Sequence, residues 1–277
     1  MFDLLRPLAL ACSVTLGTLY LAGCETNPVT GRSQVMIVSE EQAQVASAQA
    51  YAKTVSQARS QRKLDTNAAR TARVQQITSR LVAQAVRIRP ESANWKWQVH
   101  VLDDPSVNAW CMPGGKMAVY TGLIEKLDPT DDELAQVLGH EISHALLQHG
   151  RERMSRAVAT NAALTIGSIA SGVNLSGLEN VAMIALELPN SRTAETEADR
   201  LGIEIAARAG YNPNAAVSLW RKMAKASGGG GAPEWLSTHP SDERRIANLQ
   251  QLVPTMMPLY QAASRRGDNS ARSALGS

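Results

Sequence analysis

Residues 138–150 read LGHEISHALLQHG, and no other stretch limits the fold of this chain so tightly. The sequence holds five histidines in 277 residues, and His140, His144 and His149 all fall here. The surrounding run PTDDELAQVLGHEISHALLQHGRERMS reads as one strong helix. Pro129 and Thr130 open it, with acidic residues that suit the positive end of the helix dipole. At about 100° per residue, positions four apart lie about 40° from one another round the axis. His140 and His144 therefore point the same way, one turn apart, and can share one metal ion. Glu141, about 100° round from His140, stands beside that ion, where it can take a proton from metal-bound water. His149 comes out about 180° from His140 on a continuous helix. It is set aside as a ligand and assigned, with Gly150, to the helix end, where an imidazolium suits the negative pole.

Two histidines leave a zinc site short of a ligand, so the fold must carry one in from another element. SRTAETEADRLG is the candidate segment. Glu195 and Asp199 are four apart, hence on one face of an expected helix, whereas Glu197 points away from both. With Glu195 as third ligand and Asp199 bonding the free N–H of a ligand histidine, the arrangement is that of a gluzincin. Taken alone, this segment would read as an exposed acidic helix face. The two-histidine helix upstream turns it into a ligand.

The whole chain has the composition of a globular protein, with 44% apolar and 19% charged residues. A net charge of +3 and a single Phe argue against a nucleic-acid partner. Residues 1–23 read as a signal peptide with a short uncharged core. Their Leu21-Ala22-Gly23-Cys24 ending resembles the lipobox of bacterial lipoproteins, which implies acylation of Cys24 and a membrane anchor. Glu25 after the cysteine leans towards the outer membrane. Residues 24–38 then read as a lipidated tether, 39–255 as the folded domain, and 256–277 as a disordered tail. Cys111 reads as a small buried residue.

Within the domain, helices are expected from Ser39, over 66–88, 191–209 and 213–226, and last over 241–252, with a GGGG break at 228–231. WKWQVHVLDD alternates as a strand. Trp95, Trp97, Val99 and Val101 share the apolar face, and His100 lies on a solvated polar face. Pro113-Gly114-Gly115 makes a turn between two extended runs. Residues 157–178 carry no charge but are rich in Ala, Ser, Thr, Asn and Gly, which favours a close-packed helix and a Gly-punctuated segment over a membrane span.

NAWCMPGGKMAVYTGLI, HEISH, SRTAETEADRLG and THPSDERRI occur in the order found in metallopeptidase family forty-eight, the group that includes HtpX, BepA and the CAAX prenyl protease. The likeness covers about residues 24 to 250, and the stretch CETNPVTGRSQVMIVSEEQ is similar to the start of exported lipoprotein members. It implies an α+β, predominantly α-helical, zincin-like domain of gluzincin type, with a small β-sheet beside the active helix. One Zn2+ per chain would be held by His140, His144 and Glu195, with Glu141 as general base and Asp199 as the orienting carboxylate. An extended substrate would add to the strand Gly115, Lys116, Met117, Ala118, Val119, Tyr120 through main-chain hydrogen bonds. His239 would either stabilise the oxyanion or occupy the open coordination position, and Arg245 matches the family's late arginine. The implied function is a zinc endopeptidase, lipid-anchored in the bacterial cell envelope and facing the periplasm. It would cleave misfolded or unassembled envelope proteins and could meet assembly machinery. The alternative is a chaperone-like outer-membrane protein assembly factor whose cleavage is latched or secondary.

Overall fold

The computed structural model describes residues 24–164, 177–227, 234–240 and 243–275. The expected signal peptide, the GGGG break and most of the Gly-punctuated stretch fall outside the described residues. Residues 24–38, expected as a tether, are instead docked on the domain. Strands β1 (Cys24–Thr26) and β2 (Ser33–Val35) form an antiparallel hairpin. Asn27 turns the chain between them, its side-chain oxygen accepting from Val29 N and Thr30 N.

Helix α1 (Glu40–Ser60) starts where the sequence reading placed it. Ser39 caps it, and Gln42 returns the bond to the Ser39 N–H. Helix α2 (Ala68–Ile88) buries the stripe Val74, Ile77, Leu81 and Ala85, and a 3-10 turn, Pro90–Asn94, follows. Strands β3 (Gln98–Leu102), β4 (Ala109–Met112) and β5 (Lys116–Tyr120) form a sheet in the order β3-β5-β4. The middle strand, β5, runs parallel to β3 and antiparallel to β4. The remaining helices are α3 (Thr121–Leu127), α4 (Asp131–Leu146), α5 (His149–Leu164), α6 (Leu178–Glu187), α7 (Arg192–Arg208), α8 (Asn214–Ser227), α9 (Glu234–Thr238) and α10 (Glu243–Leu275). The molecule is thus mostly helical with small sheets, the class expected.

Alternation along the strands divides the core. Val101, Cys111, Met117 and Val119 face the main cluster with α2 and α4. Leu102, Trp110, Met112 and Ala118 face a second cluster with α1 and α6. Trp95, Trp97, Val99 and Val101 all pack on the main side, as their spacing requires. His100 corrects its expectation: α1 covers the opposite face, so His100 is half-buried, with Nδ1 2.6 Å from the Tyr51 hydroxyl.

Helix α4 is the centre of the molecule, with every residue from Glu133 to Leu146 buried. Thr130 and Glu133 form its capping box. It packs directly on α7 where two glycines meet. A Cβ at Gly202 would stand 2.8 Å from the His140 nitrogen, and one at Gly139 would stand 2.9 Å from the Gly202 carbonyl oxygen. This close approach sets α4, which carries His140 and His144, face to face with α7, which carries Glu195.

Helix α10 overruns the expected end at 252 and continues to Leu275 through Pro254 and Pro258, so a disordered tail from 256 is not what the structure shows. Leu249 and Met256 are buried, and Leu252, Val253, Leu259 and Tyr260 pack on the core, which holds the helix past both prolines. Among the described residues, no helix is long and apolar enough to cross a membrane.

Candidate active site

His140 and His144 present their Nε2 atoms 2.9 Å apart, as the four-residue spacing demands. Each ring is held from behind. His140 Nδ1 lies 3.0 Å from Asp199 Oδ1, and Arg245 grips that carboxylate with two bonds of 2.7 Å. His144 Nδ1 lies 2.8 Å from His149 Nδ1, whose Nε2 is 3.0 Å from Glu197 Oε2. Helix α7 brings Glu195 in, its carboxylate oxygens 3.3 and 3.4 Å from the two Nε2 atoms. Arg245 Nη1 pairs with Glu195 Oε2 at 2.6 Å, so Arg245 rather than Arg244 occupies the site.

His239 follows α9 and enters the same cluster, with Nδ1 3.0 Å from Glu195 Oε1 and 3.2 Å from His140 Nε2. One ligand-capable atom from each of His140, His144, Glu195 and His239 lies within 4.8 Å of the others. These residues fit a metal ion. The outward Nδ1 contacts leave the Nε2 lone pairs facing one another and the Glu195 carboxylate, whose Oε2 is ion-paired to Arg245. A bound cation satisfies all of them at once.

Charge in the cluster follows the same geometry. Burial would lower His140, but Asp199 and Glu195 outweigh it and hold the imidazole at about 9. Burial pushes His144 well below the usual histidine range, and also lowers His149. Burial would raise Glu195, but His239 and His140 beside it keep its carboxyl well below the usual carboxylate range.

Glu141 stands beside the cluster as expected. Its Oε1 accepts a 2.7 Å hydrogen bond from the Trp235 indole and lies 3.4 Å from His239 Nε2. Trp235 also stacks on the His239 ring, with centroids 4.5 Å apart. Trp235 was not among the residues read from the sequence, although it stands four residues, about one helical turn, before His239. The sequence reading also misplaced His149. Helix α4 ends at Leu146, Gln148 takes φ 58°, and His149 begins α5 with its ring turned back onto His144. An angle of about 180° between His140 and His149 holds only on one continuous helix. Glu197, expected to point away from Glu195 and Asp199, stands outside the four-residue cluster and meets His149.

The cleft in front of Glu141 is lined by Asn108, Ala109, Trp110 and Cys111 on one side and by Arg153 and Asn190 on the other. This corrects the substrate-strand assignment. Residues Lys116–Tyr120 are β5, paired on both edges, so no further strand can add there. The strand that borders the cleft is β4, at the edge of the sheet. Burial and then the Glu141 charge push the Cys111 thiol well up, which fits a packing role. Cys24 opens β1 and is exposed.

A family model described as Peptidase family M48 matches residues 68–253. Metalloendopeptidase OMA1, mitochondrial, of Bos taurus is 32% identical over 259 residues, covering 88% of this chain and 49% of that protein. Mitochondrial metalloendopeptidase OMA1 of Schizosaccharomyces pombe is 32% identical over 241 residues, 86% of this chain and 69% of that protein. Beta-barrel assembly-enhancing protease of Yersinia pestis is 28% identical over 200 residues, 68% of this chain and 40% of that protein. The chain spans about half the length of the bovine relative. These findings overturn the expected location. A bacterial-envelope, periplasm-facing site does not follow when the two relatives at 32% identity, matched over 88% and 86% of the chain, are named as mitochondrial proteins.

Proposed function

The chain belongs to peptidase family M48, a family of metallopeptidases, and from that premise we propose that it is a zinc-dependent endopeptidase acting on unfolded or misassembled polypeptides. The observation that carries this reading is the convergence of His140, His144 and Glu195 with Glu141 beside them on a cleft bordered by an edge strand. The two imidazole Nε2 atoms and the Glu195 carboxylate would hold the metal. Bound zinc supplies polarisation of the scissile carbonyl and brings the pKa of a bound water to about 7.

The chain's own residues do the rest. Glu141 is placed to receive the proton of the attacking water and pass it to the leaving amine. The Trp235 N–H fixes one of its oxygens, which leaves the other turned to the reaction. Asp199 and Arg245 keep His140 in the tautomer that offers Nε2. The edge of β4 that is unpaired among the described residues can take an extended chain by main-chain hydrogen bonds, a mode that tolerates many sequences.

A second reading is favoured by His239, whose ring nitrogen lies within the donor cluster. As a fourth ligand it would latch the site, leaving assembly assistance as the basal activity and cleavage as a switched one. Similarity to a protein named for enhancing β-barrel assembly supports that reading.

Wild type and Glu141→Gln, both loaded with zinc, should be incubated with an unfolded polypeptide. The variant should keep the metal and lose about 10²–10⁴-fold in cleavage rate. Equal cleavage by both would sink the protease reading. For the latch, His239→Ala should raise cleavage, whereas a loss would assign His239 to oxyanion stabilisation.

A further inference from the structure

We propose that His149, Glu197 and Arg32 form a positioning chain that fixes the ligand ring of His144, and that the N-terminal hairpin is thereby a working part of the metal site. The proposal rests on the reading of His140, His144 and Glu195 as metal ligands.

Hydrogen-bond polarity gives the chain its direction. At its outer end, Arg32 Nε donates to both Glu197 oxygens, at 3.0 and 3.1 Å. A carboxylate in this position only accepts, so His149 Nε2, 3.0 Å away, must donate to it. A neutral His149 then has only a lone pair on Nδ1, and His144 Nδ1, 2.8 Å away, must donate to that. His144 is left with a bare lone pair on Nε2, the atom that faces His140 and Glu195. The chain therefore selects the ligating tautomer of His144 and holds its plane, as Asp199 does for His140.

The outer end of this chain is built by the hairpin. Arg32 lies between β1 and β2, and its other two nitrogens bind Glu152 at 3.2 and 2.8 Å. Asn27 and Gln34, both buried, donate to the Leu147 carbonyl at 2.8 and 3.0 Å. That carbonyl sits at the break between α4 and α5, the break that turns His149 back onto His144. The hairpin thus stabilises the helix break and anchors the carboxylate at the end of the chain.

The test measures zinc affinity by competition with a chromophoric chelator, and the visible spectrum of the cobalt-substituted protein. Full-length wild type, His149→Phe, Glu197→Leu, His149→Gln and the control His144→Ala are compared. His149→Phe keeps the ring's bulk without its nitrogens. It should weaken zinc binding on the order of 10–100-fold and shift the cobalt spectrum. Glu197→Leu, which lies further from the metal, should move both in the same direction. His149→Gln, which can still accept from His144 and donate to Glu197, should recover most of the loss. If wild type binds zinc and His144→Ala loses it, while His149→Phe and Glu197→Leu keep wild-type affinity and spectrum, the positioning chain is refuted and the metal site stands. If His144→Ala binds zinc like wild type, the metal-site reading itself fails and takes this proposal with it.

Discussion

His140 and Trp235 carry the two sharpest consequences at the scale of single residues. In protein stripped of metal, Asp199 and Glu195 hold the His140 proton up to about 9, above its ordinary 6.5. Such a raised histidine adds stability that is complete below about pH 6.5 and is lost as pH rises through about 9. The melting temperature of chelator-treated protein should therefore fall between pH 6.5 and 9, and Asp199→Asn should flatten the fall. A flat wild-type profile across that window would refute the assignment. Trp235→Phe removes the donor to Glu141 but keeps an aromatic ring in the core. A hydrogen bond to a charged group contributes about 1.5–3 kcal/mol, so kcat should drop on the order of 10–100-fold with zinc content unchanged. An unchanged kcat would mean that Glu141 is positioned by something else. The juxtaposition of His140, His144 and Glu141 was legible because spacing along one helix fixes their mutual angle. Trp235 and His149 were not, since one comes from a distant helix and the other depends on a helix break. That break rests on Gln148 in the left-handed region, a conformation that no glycine or asparagine announces.

Element boundaries were readable wherever side chains cap or stripe a helix. Ser39 with Gln42 and Thr130 with Glu133 mark two helix starts, and the stripe from Val74 to Ala85 marks a buried face. Strand order was not readable, because pairing across the sheet is decided by packing between distant segments. Hence the substrate strand was assigned to β5, which turned out to be enclosed, and not to β4. Nor does any local pattern reveal that Gly139 and Gly202 meet. That contact makes a prediction for Gly202→Ala. The added methyl has backbone on every near side, so overpacking should cost about 1–3 kcal/mol and lower the melting temperature. Because Glu195 rides on the same helix, zinc affinity should fall with it. Destabilisation with unchanged zinc affinity would show that the crossing supports the fold without setting the ligand.

At the scale of the whole molecule, the site is assembled from elements along the full length of the described chain. Arg32 in the hairpin, the ligands on α4 and α7, and His239 and Arg245 near the C-terminal end all converge on one cluster. If an extended substrate binds along β4, main-chain groups should matter more than side chains. Replacing alternate amides of a peptide substrate by esters should raise KM severalfold, while shuffling its sequence should change KM little; the opposite pattern would place recognition in side-chain pockets. The central claim is that two imidazole nitrogens and one carboxylate of this chain hold a single zinc. X-ray absorption at the zinc edge of the loaded protein tests it most directly. Only nitrogen and oxygen neighbours at about 2.0–2.1 Å are expected, with outer-shell scattering from at least two imidazoles that weakens in His144→Ala. A sulfur neighbour at about 2.3 Å, or no imidazole scattering at all, would contradict it.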